Sequence, residues 1–291
     1  MIGKTILRAA LTLGLLVPVL ASGNAAAQAA NRVQGMSQQP PAIARLVAAT
    51  DGLPADGRAT LGLAIDLAPG WKTYWRSPGE GGVAPEFDWS ASTNLAETDV
   101  RFPIPERHSL GGVTSIVYPG SVILPVLVTA KDPSRPLQLS LLLRYGVCQD
   151  ICVPREERLT LELPPGNATP SAAAPAIQAA MAQVPLPFAQ AGLTLKRAWT
   201  TPAPKPSLKL SIEAAEPLTP ADILVEGPET VWFEQPQIAV PDLAPGGKGG
   251  TLLAVVPLGP AGAAELLAGH KLTITVLAGP RSAETQVTLP K

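Results

Sequence analysis

The sequence predicts an all-β protein built as two antiparallel sandwiches. Three observations carry that expectation. Apolar residues recur with period two in both halves of the chain, as at Leu61, Leu63, Ile65 and Leu67, and again at Leu208, Leu210 and Ile212. Clusters of Gly, Pro, Asp and Ser separate the apolar runs and read as turns. Between the halves lies a Pro/Ala-rich stretch in which the alternation stops. Short strands with turns at this spacing suggest immunoglobulin-like sandwiches.

The first 27 residues read as an export signal. Lys4 and Arg8 form a basic start, Ala9 to Leu20 an apolar core, and Ala25-Ala26-Ala27 a small-residue cleavage site. Cleavage there leaves a mature chain starting near Gln28. An uncleaved membrane anchor is the alternative, but the apolar core contains Pro18 and is too short to span a bilayer. The expected location is therefore the bacterial periplasm, where disulfides persist. Residues 28–41 form a polar lead-in. Residues 42–165 make the first β unit, and 166–187 a linker whose Ala174–Val184 portion suits a short helix. Residues 188–291 make the second unit, with Leu272, Ile274 and Val276 among its alternating positions.

The chain has 291 residues, with 22 Lys plus Arg against 23 Asp plus Glu. That balance argues against nucleic acid as a partner. With 33 Pro and 26 Gly, about a fifth of the chain, it stays below the low-complexity range. No Ser/His/Asp order, phosphate loop or paired-carboxylate motif stands out, and no cofactor is expected. His270 and the rest of the second unit offer no catalytic constellation.

The two cysteines, Cys148 and Cys152, lie between two alternating runs in LQLSLLLRYGVCQDICVPREERLTLELP. A hairpin with Gln149 to Ile151 as its loop sets Cys148 opposite Cys152. The same register sets Leu141 opposite Leu159, Leu139 opposite Leu161, Leu137 opposite Leu163 and Arg144 opposite Glu156. Turn length and hydrophobic pattern thus select one register. The cysteines fall on the face away from the leucines, at an exposed hairpin tip. A disulfide there closes only a five-residue loop, worth about 2 kcal/mol, so stability alone explains it poorly. A redox pair, a structural bridge, and a soft Cu(I) site that also uses His108 all remain open on these residues. Arg144 and Arg155 are placed to favour a thiolate and Asp150 to oppose one, unless they are simply solvated or paired charges.

Two further segments become readable beside the hairpin: GWKTYWRSPGEGGVAPEFDW, residues 70–89, and RFPIPERHSLGGVTSIVYPGSVILPV, residues 101–126. With YGVCQDICVP, residues 145–154, this order resembles the N-terminal periplasmic domain of DsbD-type thiol:disulfide interchange proteins. It is most similar to the ScsB branch, which is associated with copper tolerance. The resemblance covers residues 42–165 well, and 188–290 look like the second sandwich of that branch. It implies an immunoglobulin-like redox domain in which Cys148 and Cys152 are the exchanging pair. Tyr74 would pack beside the pair, although Tyr74, Trp71 and Trp75 also suit a core. The loop from His108 to Gly112 falls where the family carries a cap over the disulfide, with Leu110 the candidate shield. The implied partners are thioredoxin-fold periplasmic proteins and a separate membrane-embedded electron transporter. Three departures stand out: the C-x3-C spacing is shorter than in DsbD, no aromatic cap residue is evident, and no transmembrane module or CxxC domain follows.

Overall fold

A computed structural model describes residues 40–166, 168–202, 204–216, 222–243, 250–259 and 263–290, apart from the side chains of Leu110, 240–243 and Pro280. The expected export signal lies outside the described residues.

The first unit contains ten strands: β1 (Ala42–Ala48), β2 (Arg58–Leu67), β3 (Lys72–Gly79), β4 (Glu86–Asp88), β5 (Leu95–Val100), β6 (Glu106–Leu110), β7 (Val113–Pro119), β8 (Val122–Ala130), β9 (Leu137–Cys148) and β10 (Cys152–Leu163). One sheet has the order β1-β2-β8-β5. The facing sheet has the order β10-β9-β3-β7-β6, with β4 also paired to β9. Every pairing among these strands is antiparallel.

The core forms where the alternating positions of both sheets meet. Leu61, Leu63 and Ile65 of β2 and Leu124, Val126 and Val128 of β8 come from one side. Leu137, Leu139, Leu141, Leu143 and Tyr145 of β9 come from the other, with Trp75 of β3. Removing this apolar surface from water is the main drive for closing the sandwich.

The helix Ala174–Met181 is shorter than the sequence suggests and packs on the outside of the first sandwich. Pro175 lies in its first turn, where a missing N–H costs nothing. Its Ile177 is buried, and Gly62 makes room for it: a Cβ at Gly62 would lie 3.0 Å from Ile177. Backbone hydrogen bonds from Asp51 to Thr169 and from Ser171 to Ala49 tie the same stretch to the first unit.

The second unit contains β11 (Leu186–Pro187), β12 (Leu193–Thr201), β13 (Ser207–Ala214), β14 (Asp222–Glu226), β15 (Trp232–Phe233), β16 (Gln237–Leu243), β17 (Gly250–Gly259), β18 (Lys271–Leu277) and β19 (Ala283–Thr288). Its sheets run β11-β19-β18-β14 and β12-β13-β17-β15, with β16 also on β17. The sequence pattern implied antiparallel pairing throughout. The exception is β11, which pairs parallel to β19 because the end of the linker enters the sheet as an edge strand. The core again collects the alternating positions, including Leu208, Leu210, Ile212, Leu272, Ile274 and Val276. The strand plan repeats that of the first unit: β12-β13-β17-β16 matches β1-β2-β8-β5, and β19-β18-β14 matches β10-β9-β3.

The two sandwiches share a contact. Leu224 and Leu277 of the second are buried with the first core. Arg107 donates to Asp222 at 2.7 Å, with both side chains largely buried. Arg76 lies over the Trp75 ring and pairs with Glu226 and Glu284. Burial lowers the Arg76 pKa, but the hydrogen bonds and charges of both glutamates outweigh it and raise the pKa overall.

Candidate functional site

The hairpin of β9 and β10 has the register expected from the sequence. Cys148 pairs with Cys152, Arg144 with Glu156, Leu141 with Leu159, Leu139 with Leu161 and Leu137 with Leu163. The two cysteines are 4.2 Å apart at Cα and joined as a disulfide. Gln149 N–H donates to the Ile151 carbonyl at 3.1 Å and closes the turn.

One expectation fails in an informative way. The tip itself is exposed, with Ile151 68% exposed, and Cys152 is exposed too, but Cys148 is only 2% exposed. Cys148 does lie off the leucine core, as its even position requires. It is buried in a small separate cluster with Tyr74 and Val117 on the outer face of the sheet. Strand β3 lies beside β9, and Lys72 and Thr73 pair with Cys148 and Val147. The next residue, Tyr74, therefore lies over the cysteine's face of the sheet.

Two glycines make the slot for the Tyr74 ring. A Cβ at Gly146 would come within 3.1 Å of the ring, and one at Gly82 within 2.7 Å. Thr73 Oγ1 donates to the Gly146 carbonyl at 2.9 Å and fixes the strand there. The segment carrying Gly82 is held by Glu80 N–H donating to the Thr114 carbonyl at 3.1 Å. The phenol oxygen lies 2.7 Å from Cys148 Sγ, 3.3 Å from Cys152 Sγ and 3.2 Å from the Gly81 carbonyl. Burial raises the Tyr74 pKa, so at neutral pH the group is a protonated donor. Its single proton has three acceptors within reach. A neutral disulfide sulfur is a poor acceptor and a thiolate a strong one, so reduction favours the sulfur over the carbonyl.

The other candidate residues are spread around this point. His108, on β6, faces Lys72, with Nε2 3.2 Å from Lys72 Nζ. Its polar contact is thus an ammonium rather than a sulfur. Leu110 ends β6 and pairs with Val113, but its side chain lies outside the described residues. Gly111 and Gly112 both have positive φ, as a two-residue hairpin turn of this hand requires. Arg144 lies four residues back from Cys148 and is exposed; it donates to Glu156 at 2.7 Å and lies 3.7 Å from Glu86. Asp150 is exposed at the turn. Arg155 points to the opposite face, where it donates to Glu157 at 2.8 Å. Among the described residues no group of three or more His, Cys, Asp or Glu is arranged to hold a metal ion.

Sequence reasoning missed Lys72, Gly82 and Gly146. Gly146 carried a usable signal, because a glycine inside an alternating strand marks a close approach. Lys72 carried none, since its place beside Cys148 depends on the β3–β9 pairing, which the sequence does not encode locally.

Residues 43–164 match the family model described as the N-terminal domain of the thiol:disulfide interchange protein DsbD. Residues 183–291 match a domain family of unknown function. The N-terminal periplasmic domain of ScsB from Proteus mirabilis is a structural neighbour, at 25% identity and a TM-score of 0.64. The match covers 88% of this chain and 96% of that one. The reduced DsbD N-terminal domain from Neisseria meningitidis is also found, at 16% identity and a TM-score of 0.27, covering 43% of this chain and 85% of that one. No curated protein matches the chain. Among the described residues no helix is long and apolar enough to cross a membrane. Residues 43–164 are thus similar to the DsbD N-terminal domain family, and the two-sandwich chain as a whole is similar to the N-terminal periplasmic domain of ScsB.

Proposed function

We propose that this protein is a periplasmic thiol:disulfide exchange protein that passes electrons between a DsbD-like membrane transporter and thioredoxin-fold partners. The observation that carries this reading is the asymmetry of the cystine: Cys152 is exposed and Cys148 is buried beneath Tyr74. Exchange needs one sulfur that an incoming thiolate can reach and a second that can leave. Cys152 is the reachable sulfur. Attack on Cys152 Sγ forms a mixed disulfide and breaks the Sγ–Sγ bond, releasing Cys148 as a thiolate. The Tyr74 hydroxyl lies 2.7 Å from that sulfur and supplies a hydrogen bond as the charge appears. The donor's second thiolate then attacks the mixed disulfide and frees Cys152. The donor leaves as a disulfide, and two electrons and two protons remain on the cysteine pair. The reduced pair passes them to a disulfide-bearing partner by the same steps reversed.

Single-cysteine variants test the assignment. Cys148→Ala leaves the exposed thiol and Cys152→Ala the buried one. Incubated with glutathione disulfide, the first should form a mixed disulfide at least about tenfold faster than the second, following access and thiolate character. Equal rates, or no reaction by either variant, would contradict the reading.

A further inference from the structure

The sheet places an ammonium group beside the buried sulfur. Lys72 is the directly paired neighbour of Cys148 on β3, and side chains of directly opposed residues share a face with Cβ atoms about 5 Å apart. The Lys72 Nζ is held 3.2 Å from Nε2 of His108. Among the described residues no carboxylate forms an ion pair with Lys72, whereas Arg76, Arg107, Arg144 and Arg155 each do. A lysine that rests on an imidazole keeps its positive charge uncompensated, and it is half-buried, where screening by water is reduced.

Resting on the exchange reading above, the geometry points to Lys72 as the cation that stabilises the Cys148 thiolate, with His108 as its resting partner while the disulfide is closed. In the disulfide state Cys148 carries no charge and the ammonium lies on His108. When an incoming thiolate attacks Cys152, the electron pair of the broken Sγ–Sγ bond stays on Cys148. The anion then forms one strand away from Lys72 and beside the Tyr74 hydroxyl. A flexible four-carbon stem lets the ammonium turn toward it. The attack itself needs no proton, and the second thiolate of the incoming dithiol is the co-reactant that completes the reduction. The other ionisable groups on this face are Tyr74 on β3, Glu106 on β6, Asp150 in the hairpin turn and, four residues back along β9, Arg144 with its partners Glu156 and Glu86. Tyr74 donates to the anion, Glu106 and Asp150 oppose it, and the Arg144 charge is already met by its two glutamates. Lys72 and Tyr74 are thus the groups next to Cys148 that favour the charged sulfur.

The test compares the wild-type mature chain with Lys72→Met and Lys72→Arg. Each is equilibrated with glutathione buffers and its free thiols trapped, and thiolate absorbance is followed against pH in the reduced proteins. Losing a thiolate-stabilising cation should favour the disulfide. Lys72→Met should shift the dithiol–disulfide equilibrium about tenfold toward disulfide, which lowers the potential by about 30 mV. Its first thiol should ionise at about tenfold lower proton concentration, and Lys72→Arg should stay within about threefold of wild type. A purely structural lysine would move the melting temperature and leave the potential and the thiol titration in place. If the wild type exchanges but Lys72→Met matches it within about twofold in both readouts, the role of Lys72 is overturned and the exchange function stands. If the wild type itself does not equilibrate with glutathione, both are overturned.

Discussion

The two sandwiches repeat one strand plan and differ in what they place on it. The first unit's β9–β10 hairpin ends in the cystine, whereas the matching hairpin, β18–β19, turns through Gly279–Arg281 and carries no cysteine. The first unit's β3 carries Lys72 and Tyr74 at the disulfide. The matching strand, β14, carries Asp222 and Glu226, which reach Arg107 and Arg76 of the first unit. One plan therefore carries the disulfide and the proposed exchange site in one copy and a bracing surface in the other. The alternation that builds both cores is common to the two. The disulfide lies where the alternation of burial breaks, with the outer-face Cys148 buried beside Tyr74 and Val117.

The largest effects should leave that difference untouched. Leu141→Ala in the first core and Ile274→Ala in the second each remove a fully buried side chain. Each should cost about 2–5 kcal/mol in denaturant unfolding, with disulfide exchange at native conditions retained. Loss of exchange in the Leu141 variant without unfolding would tie the site to core packing more closely than the comparison allows.

The bracing surface should come next. Arg107→Ala leaves Asp222 largely buried without its partner, and should destabilise the chain by about 3 kcal/mol. In a double-mutant cycle with Asp222→Ala, the double variant should recover part of that loss. Strict additivity would mean that the two sandwiches are not coupled through this pair.

Removing the cystine should affect stability less than either change. A bridge across five residues is worth about 2 kcal/mol. The double Cys148→Ala, Cys152→Ala variant should therefore keep its far-ultraviolet spectrum and a cooperative transition while losing all exchange. Unfolding of the variant would indicate a structural staple.

The smallest effect is a pH dependence at Glu157, on the hairpin face opposite the cysteines. Burial pushes its carboxyl up, but hydrogen bonds from Arg155, Tyr145 and the Ala44 amide and the Arg155 charge together hold it below its ordinary value. A carboxylate with a depressed folded pKa adds stability above its unfolded pKa and loses it as the pH falls through the folded value. Stability near neutral pH should thus exceed that under acid by a margin that Glu157→Gln reduces. An unchanged pH profile in the variant would remove Glu157 from the account.

Much of the fold was legible in the sequence because period two is a local signal. The leucines of β9 and β10 fixed both the hairpin and its register, and the motifs around Tyr74 and Cys148 carried the family resemblance. The burial of Cys148 was not legible, because it depends on β3 lying beside β9 and on Gly82 and Gly146 leaving room for the Tyr74 ring. Arg144 sits opposite Glu156 as the register requires, and that same pairing engages its charge with a carboxylate. The helix was visible as an Ala-rich stretch, but its docking through Ile177 onto Gly62 is a tertiary contact.

The central claim is that the Cys148–Cys152 bridge is an exchanging pair rather than a staple. Its most direct test is the reduction potential of the purified protein, measured by equilibration with glutathione and trapping of free thiols. The account predicts a value of about −180 to −270 mV, the range of exchange proteins. A value below about −300 mV, typical of structural disulfides, would contradict it.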